Sequence, residues 1–225
     1  MRYNEGMNGN ITRPIFTAIV PAADSAALLG FLEEAAAAVS VIERSTSRLL
    51  NHGHQNKIPE LVSFGHDVLA TLFFFPFQAR KIKEFLTIKA QQDEAAIKNG
   101  ELNSLETFFY KLRSAATTPT DRTLNGRTYP ANWKSRTNIP SLMRGIQSCV
   151  EDEEMLENIV AIESAVKTLH AAAAPAVNIL DRHAQDIAQQ KKEWMVSTDE
   201  GREYSAQHKK NINAIIAALP HRSID

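Results

Sequence analysis

Val68-Leu-Ala-Thr-Leu-Phe-Phe-Phe-Pro-Phe77 is the most apolar segment of this chain, and the reading of the residues around it, Ile58 to Asn99, decides the fold. Alternating steps of four and three place Leu61, Gly65, Val68, Leu72, Phe75, Ala79, Ile82 and Leu86 on one seam. Apolar residues repeating near every 3.5 positions mark a helix packed lengthwise against others. The seam keeps step across Pro76. An interior proline costs roughly 3 kcal/mol, whereas each buried Leu, Ile or Phe contributes about 1.5–3 kcal/mol. The balance predicts one helix over 58–99, kinked at Pro76 but not broken. Leu69, Phe73, Phe74 and Phe77 make the opposite face apolar too. The helix must therefore be enclosed on all sides there, or else present an apolar patch to something.

The same spacing recurs on either side of this stretch. From about Ala22 to Asn51, Leu28, Leu32, Ala35, Val39, Ile42, Thr46 and Leu49 predict a first helix, with Asp24 as its cap and Gly53 as its stop. The polar run Asn51 to Lys57 reads as a linker, and Pro59 suits the first turn of the next helix. Asn99-Gly100 reads as a helix stop, and Asn103 with Glu106 as a capping box opening a short helix, Leu105 to Ala116. Pro140 starts the longest helical pattern, to about Val196. In it Ile159, Ile162, Val166, Leu169, Ala173, Ala176, Leu180, His183 and Ile187 hold their register through Pro175. Ser197 with Glu200 resembles a capping box for a last helix, which carries Tyr204, His208, Ile212, Ile215 and Leu219 on one face. The expected fold is all-α, a single-domain antiparallel bundle of about five helices with two long, proline-kinked members side by side. The bundle covers 22–219, preceded by an arm over 1–21 that includes the extended run Ile15 to Val20, and followed by a tail over 220–225.

With 225 residues, and 25 basic against 26 acidic side chains, the chain can bury a full core and carries almost no net charge, which argues against a strongly cationic nucleic-acid binder. Its single cysteine, Cys149, falls in a helical pattern, where a small buried apolar role is expected. The N-terminus is polar and glycine-rich, with no signal peptide. That favours the cytoplasm of the producing cell and leaves export by another route open. Val68–Phe77 is about half the length a membrane span needs.

Chemistry has few footholds. His52-x-His54 and His66-Asp67 resemble, over those residues, the paired His and His-Asp of metal-dependent phosphohydrolases of the HD type. The resemblance implies a divalent ion polarising a phosphoryl oxygen. Val68-Leu-Ala stands where that family carries a lysine-bearing context, and exposed loop histidines beside a helix-surface pair explain the same residues. No Glu has a His three residues later, as a di-iron bundle requires. Glu151-Asp-Glu-Glu154 with Glu157 covers too many helix faces to focus on one ion. His183 and His208 fall on apolar stripes, where a hydrogen-bonded core histidine is the usual reading. No nucleophile elbow and no glycine-rich phosphate loop is present. No catalytic residue, metal or cofactor is expected.

Two surfaces remain. Thr117–Pro140 carries Arg122, Arg127, Lys134 and Arg136 against Asp121, with Tyr129 and Trp133 among them. Arg, Tyr and Trp dominate protein interfaces, and a segment so long without a period is usually functional. The second surface is Phe73, Phe74 and Phe77, followed by Arg80, Lys81, Lys83 and Lys89. The leading expectation is a non-enzymatic protein-interaction module, of the bacterial effector, adaptor or assembly-factor type. Its partner would be another protein, and a homo-oligomer is compatible with it. A membrane-active helical protein exposing the 68–77 segment is the alternative, and a metal-dependent hydrolase using His52, His54, His66 and Asp67 a second one.

Overall fold

The computed structural model describes residues 14–117, 122–124, 127–129 and 138–218. The fold is all-α, with two small two-stranded sheets added to it. In chain order the elements are β1 (Thr17–Pro21), α1 (Ala22–Asn56), α2 (Pro59–Leu72), α3 (Phe75–Ala90), β2 (Glu94–Lys98) and α4 (Asn99–Ala116). After them come β3 (Arg122–Leu124), β4 (Arg127–Tyr129), α5 (Ile139–Arg144), a 3-10 turn at Gln147–Cys149, α6 (Glu153–Ser197) and α7 (Asp199–Ala218).

α1 lies at the centre. It packs against α6 on one side and against α2 and α3 on the other, while α4 covers α6. Its buried stripe is the expected one, widened by Ala38 and Ser45 and extended by Ser25 and Gly53. The expectation of two long rods side by side is thus corrected, because α2 and α3 pack against α1 and not extensively against α6. The helix also runs past Gly53 to Asn56, so His52 and His54 lie on its last turns and not in a linker. Gly53 is retained there for space: a Cβ on it would come 2.8 Å from Leu61 Cβ where α2 crosses. Lys57 closes the helix in the left-handed region, at φ 60°, with its N–H and that of Ile58 both donating to the Gly53 carbonyl.

The continuous helix over 58–99 is a second correction. Phe73 and Phe74 interrupt it, and after α3 the chain leaves the helical register for β2. The seam nevertheless holds. Leu61, Gly65, Val68, Leu72, Phe75 and Leu86 are buried, and Ala79 and Ile82 half-buried. β2 pairs antiparallel with β1, Thr17 opposite Lys98 and Pro21 opposite Glu94, so the run Ile15–Val20 finds its partner some eighty residues away. Ala18 and Val20, with Ala95 and Ile97, face the core. The free edges of this sheet are blunted by side chains: Gln190 donates to the Thr17 carbonyl, Lys89 to that of Ala96, and Glu101 accepts the Lys98 N–H. Asn99-Gly100 accordingly begins α4 instead of ending a helix, and Glu101 caps it. Leu105, Phe108, Phe109 and Leu112 are buried as expected.

The long pattern from Pro140 is divided as well. α5 is one short helix capped by Asn138, and α6 starts at Glu153 behind Asp152, whose carboxylate accepts the Met155 N–H at 3.1 Å. Glu153 and Glu154 lie in that first turn, where a helix N-terminus favours negative charge. Cys149 is half-buried in the 3-10 turn, not in a helix. From there α6 runs without interruption through Pro175, and every residue of its expected stripe from Ile159 to Ile187 is buried. α7 opens one residue later than expected, with Thr198 Oγ1 accepting the Gly201 N–H at 3.0 Å.

Candidate interaction surface

The break between α2 and α3 falls where proline chemistry places it. Pro76 has no N–H for the Leu72 carbonyl, and its ring crowds that carbonyl; Leu72 is the last residue of α2. The two intervening residues keep right-handed helical dihedrals, and Gln78 N–H reaches back to Phe74 O at 3.4 Å. This turn sorts the four phenylalanines. Phe75 is buried and lies tilted against Phe108 at 5.6 Å, and Phe74 meets the same ring edge-on at 6.4 Å. Phe73 and Phe77 point outward, 85 % and 60 % exposed. Pro76 and Ala70 are exposed beside them, Lys81 Nζ lies 4.5 Å over the Phe77 ring, and Arg80 is exposed one position earlier. Lys83 is engaged with Glu33 at 3.0 Å. The outcome is an apolar patch with a cationic margin, and two of the three phenylalanines expected at a contact surface are in it; Phe74 is half-buried, with Lys111 5.2 Å over its ring.

Of the basic and aromatic loop, the described part is an antiparallel pair of short strands, with Thr117 closing α4 and residues 138–140 opening α5. Arg122 stands opposite Tyr129 and Leu124 opposite Arg127 in the β3–β4 register. The backbone thus brings Arg122 and Tyr129 together. Trp133, Lys134 and Arg136 lie outside the described residues. The sequence signal for this hairpin is Asn125-Gly126, the two residues between the strands, a pair strongly favoured in two-residue hairpin loops.

Of the expected histidines, only His54 and His66 are brought together. His52 is held by Asn56, 3.3 Å from its Nδ1, while the exposed rings of His54 and His66 meet edge-on at 6.1 Å. Among the described residues no group of three or more His, Cys, Asp or Glu side chains could hold a metal ion. His183 is a structural residue: buried at 7 % exposure, it places Nε2 2.8 Å from Asp24 Oδ2 and so ties α6 to the start of α1. Asp24, expected as a cap, serves this pair and Arg182 instead. On α4, Tyr110 donates to both carboxylate oxygens of Asp181 at 3.0 and 3.2 Å, which pushes the tyrosine's pKa up, with burial and nearby negative charge adding to it. Glu106, one turn away, is raised first by burial and then by the charge of Asp181.

The apolar face expected on the last helix is only partly covered. α7 packs extensively against α6 alone, around Trp194 and Tyr204, whose rings are 5.6 Å apart. A Cβ on Gly201 would come within 2.1 Å of the Trp194 carbonyl oxygen, so only glycine permits that corner. Beyond it Ile212 and Ile215 are 43 % and 63 % exposed. Their spacing is that of a core stripe, and spacing alone does not say whether a neighbour exists. Two stretches, Ala22–Asn56 and Pro59–Ala90, are long and apolar enough to cross a membrane by length and composition, with 39 % and 33 % of their most apolar windows buried in the fold.

Compared with known proteins, the chain matches no family model, no curated protein and no solved structure.

Proposed function

We propose that this protein is a non-enzymatic interaction module that engages another protein through the apolar turn between α2 and α3. The observation that carries the reading is the exposure of Phe73 and Phe77, 85 % and 60 %, in a chain whose neighbouring Phe74 and Phe75 are turned inward. Solvated aromatic rings gathered at one turn are unfavourable for a free monomer, and aromatic anchors framed by cations are what a partner's pocket would cover. Arg80 and Lys81 favour an acidic rim on that partner. The β3–β4 hairpin with Arg122, Arg127 and Tyr129 is a second contact region of the same composition, continued in sequence by Trp133, Lys134 and Arg136. The effector, adaptor or assembly-factor role belongs to this proposal.

A second reading draws on the same residues. An apolar turn with Arg80 and Lys81 beside it also suits the surface of an anionic bilayer. Photo-crosslinking in the producing cell separates the two. With p-benzoylphenylalanine at position 73 or 77, the protein-interaction reading expects one dominant protein adduct that is absent when the probe replaces exposed Ser63. Adducts no richer than at Ser63 overturn it, and co-sedimentation with anionic vesicles that is lost in the Phe73→Ser, Phe77→Ser double variant then selects the membrane reading.

A further inference from the structure

The end of α4, α5 and the first half of α6 enclose an open cavity of about 670 Å³, remote in sequence from the phenylalanine turn. That volume falls in the range of roughly 300–1,000 Å³ typical of small-molecule sites. Its floor is apolar, formed by Ala116, Met143 and Val166, all buried in the core. Its margin is cationic. Arg144 and Lys167 both line it, both are exposed, and among the described residues neither is in an ion pair. The one carboxylate in the lining, Glu163, already accepts a hydrogen bond from Gln147 Nε2 at 3.3 Å.

We infer that this cavity binds a small amphiphilic anion, with an acyl or aromatic body against Ala116, Met143 and Val166 and a carboxylate or phosphate head between Arg144 and Lys167. Each part of the lining removes a class of ligand. A small hydrophilic anion would gain only screened attraction from two exposed cations. An uncharged apolar molecule would gain nothing from the guanidinium and the ammonium, and a cationic amphiphile would be repelled by both. An anion with an apolar body satisfies floor and margin together, because burial of the body holds the head where the planar guanidinium grips it with paired donors.

Calorimetric titration of the full chain at pH 7.5 tests this, using dodecanoate and dodecyl phosphate below their micellar concentrations, with dodecanol and dodecyltrimethylammonium as controls. The expected result is saturable single-site binding of at least one anionic probe, at least about tenfold tighter than dodecanol. Arg144→Glu with Lys167→Glu, both at exposed positions, should weaken it by at least about tenfold, and Thr117→Trp, which fills the mouth, should abolish it. Binding should persist in the Phe73→Ser, Phe77→Ser variant, which separates this site from the proposed contact surface. Absence of saturable binding by both anions, equal binding of dodecanol, or binding indifferent to the charge reversals at unchanged melting temperature each overturns the inference. The two anionic arms also tell a carboxylate site from a phosphate site.

Discussion

Pro76 and Pro175 carry the same chemical defect and meet opposite fates. Each lacks the N–H that its helix needs, at a cost of roughly 3 kcal/mol. At Pro175 the helix continues. Ala172, Ala173, Ala176 and Val177 are completely buried there, and α6 is held between α1 and α4, so any reorganisation would strip apolar surface from two neighbours at once. The carbonyl left without a donor belongs to Ala171, an exposed residue where water can take its place. At Pro76 the helix is interrupted. Only α1 packs extensively against α2 and α3 together, and of the residues of α3 just Phe75 and Leu86 are buried. Little packing is forfeited by the turn, so the chain relieves the defect and leaves Pro76 in the first turn of a new helix, where a proline fits. A proline in a periodic pattern therefore predicts a defect, and the number of neighbours holding the helix decides whether that defect is carried or released.

The sharpest way to break this comparison is to crowd each site. Ala173→Leu should destabilise the protein by about 3 kcal/mol, since a larger side chain has no room between α6 and its neighbours. Ala70→Leu, at the exposed side of the other proline, should change stability by less than about 0.5 kcal/mol. Chemical denaturation of the two variants checks this, and equal effects would mean that the two helices are held alike. Removing the prolines comes next in size. Pro175→Ala should stabilise by about 1–2 kcal/mol as the Ala171 carbonyl regains its donor, while Pro76→Ala should stay within about 0.5 kcal/mol because its helix has already adapted. A gain at Pro76 matching that at Pro175 would show that the turn at Phe73–Phe74 is itself a cost the chain still bears.

The same logic explains what was legible from the sequence. The stripes of α1 and α6 were read residue by residue, because burial on one face leaves a 3.5-residue signature whatever lies opposite. Element ends were read poorly wherever a distant partner decided them. Asn99-Gly100 is a good helix stop by local chemistry, yet pairing with β1 put β2 in front of it and made it a helix start. Gly53 reads as a stop, but its missing side chain serves the approach of Leu61, and the helix ends instead on Lys57, whose left-handed backbone no residue type announced. Of the contact surface, the apolar excess at 73–77 and the sorting of inward Phe75 from outward Phe73 and Phe77 were legible, while the half-burial of Phe74 against Phe108 was not, since that contact comes from another helix. The cavity beside Arg144 was wholly hidden: its lining comes from three helices and the 3-10 turn, and no single stretch carries its pattern.

The smallest expected effect concerns protons and the better-held side of the comparison, where α4 meets α6 just after Pro175. Both Glu106 and Tyr110 titrate above their ordinary values. A folded-state pKa raised above the unfolded one means the native protein binds its proton more tightly, so the associated stability is full below the unfolded pKa and is lost as pH rises through the folded one. For Glu106 that window is the carboxylate range and just above it. Ionised Glu106, beside Asp181, is therefore a small liability at neutral pH, and Glu106→Gln should raise the melting temperature at pH 7 but not at pH 3.5. For Tyr110 the window is alkaline, above about pH 10, where the hydroxyl loses the proton it gives to Asp181. Tyr110→Phe should therefore lower the melting temperature at neutral pH and flatten its alkaline decline. Tyr110 is exposed and Glu106 only partly buried, so these shifts are screened and should be the smallest of the set. A melting profile of Glu106→Gln that parallels the parent at every pH would show that Asp181 is not felt across this seam, and the tight packing assigned to α6 would lose its electrostatic counterpart.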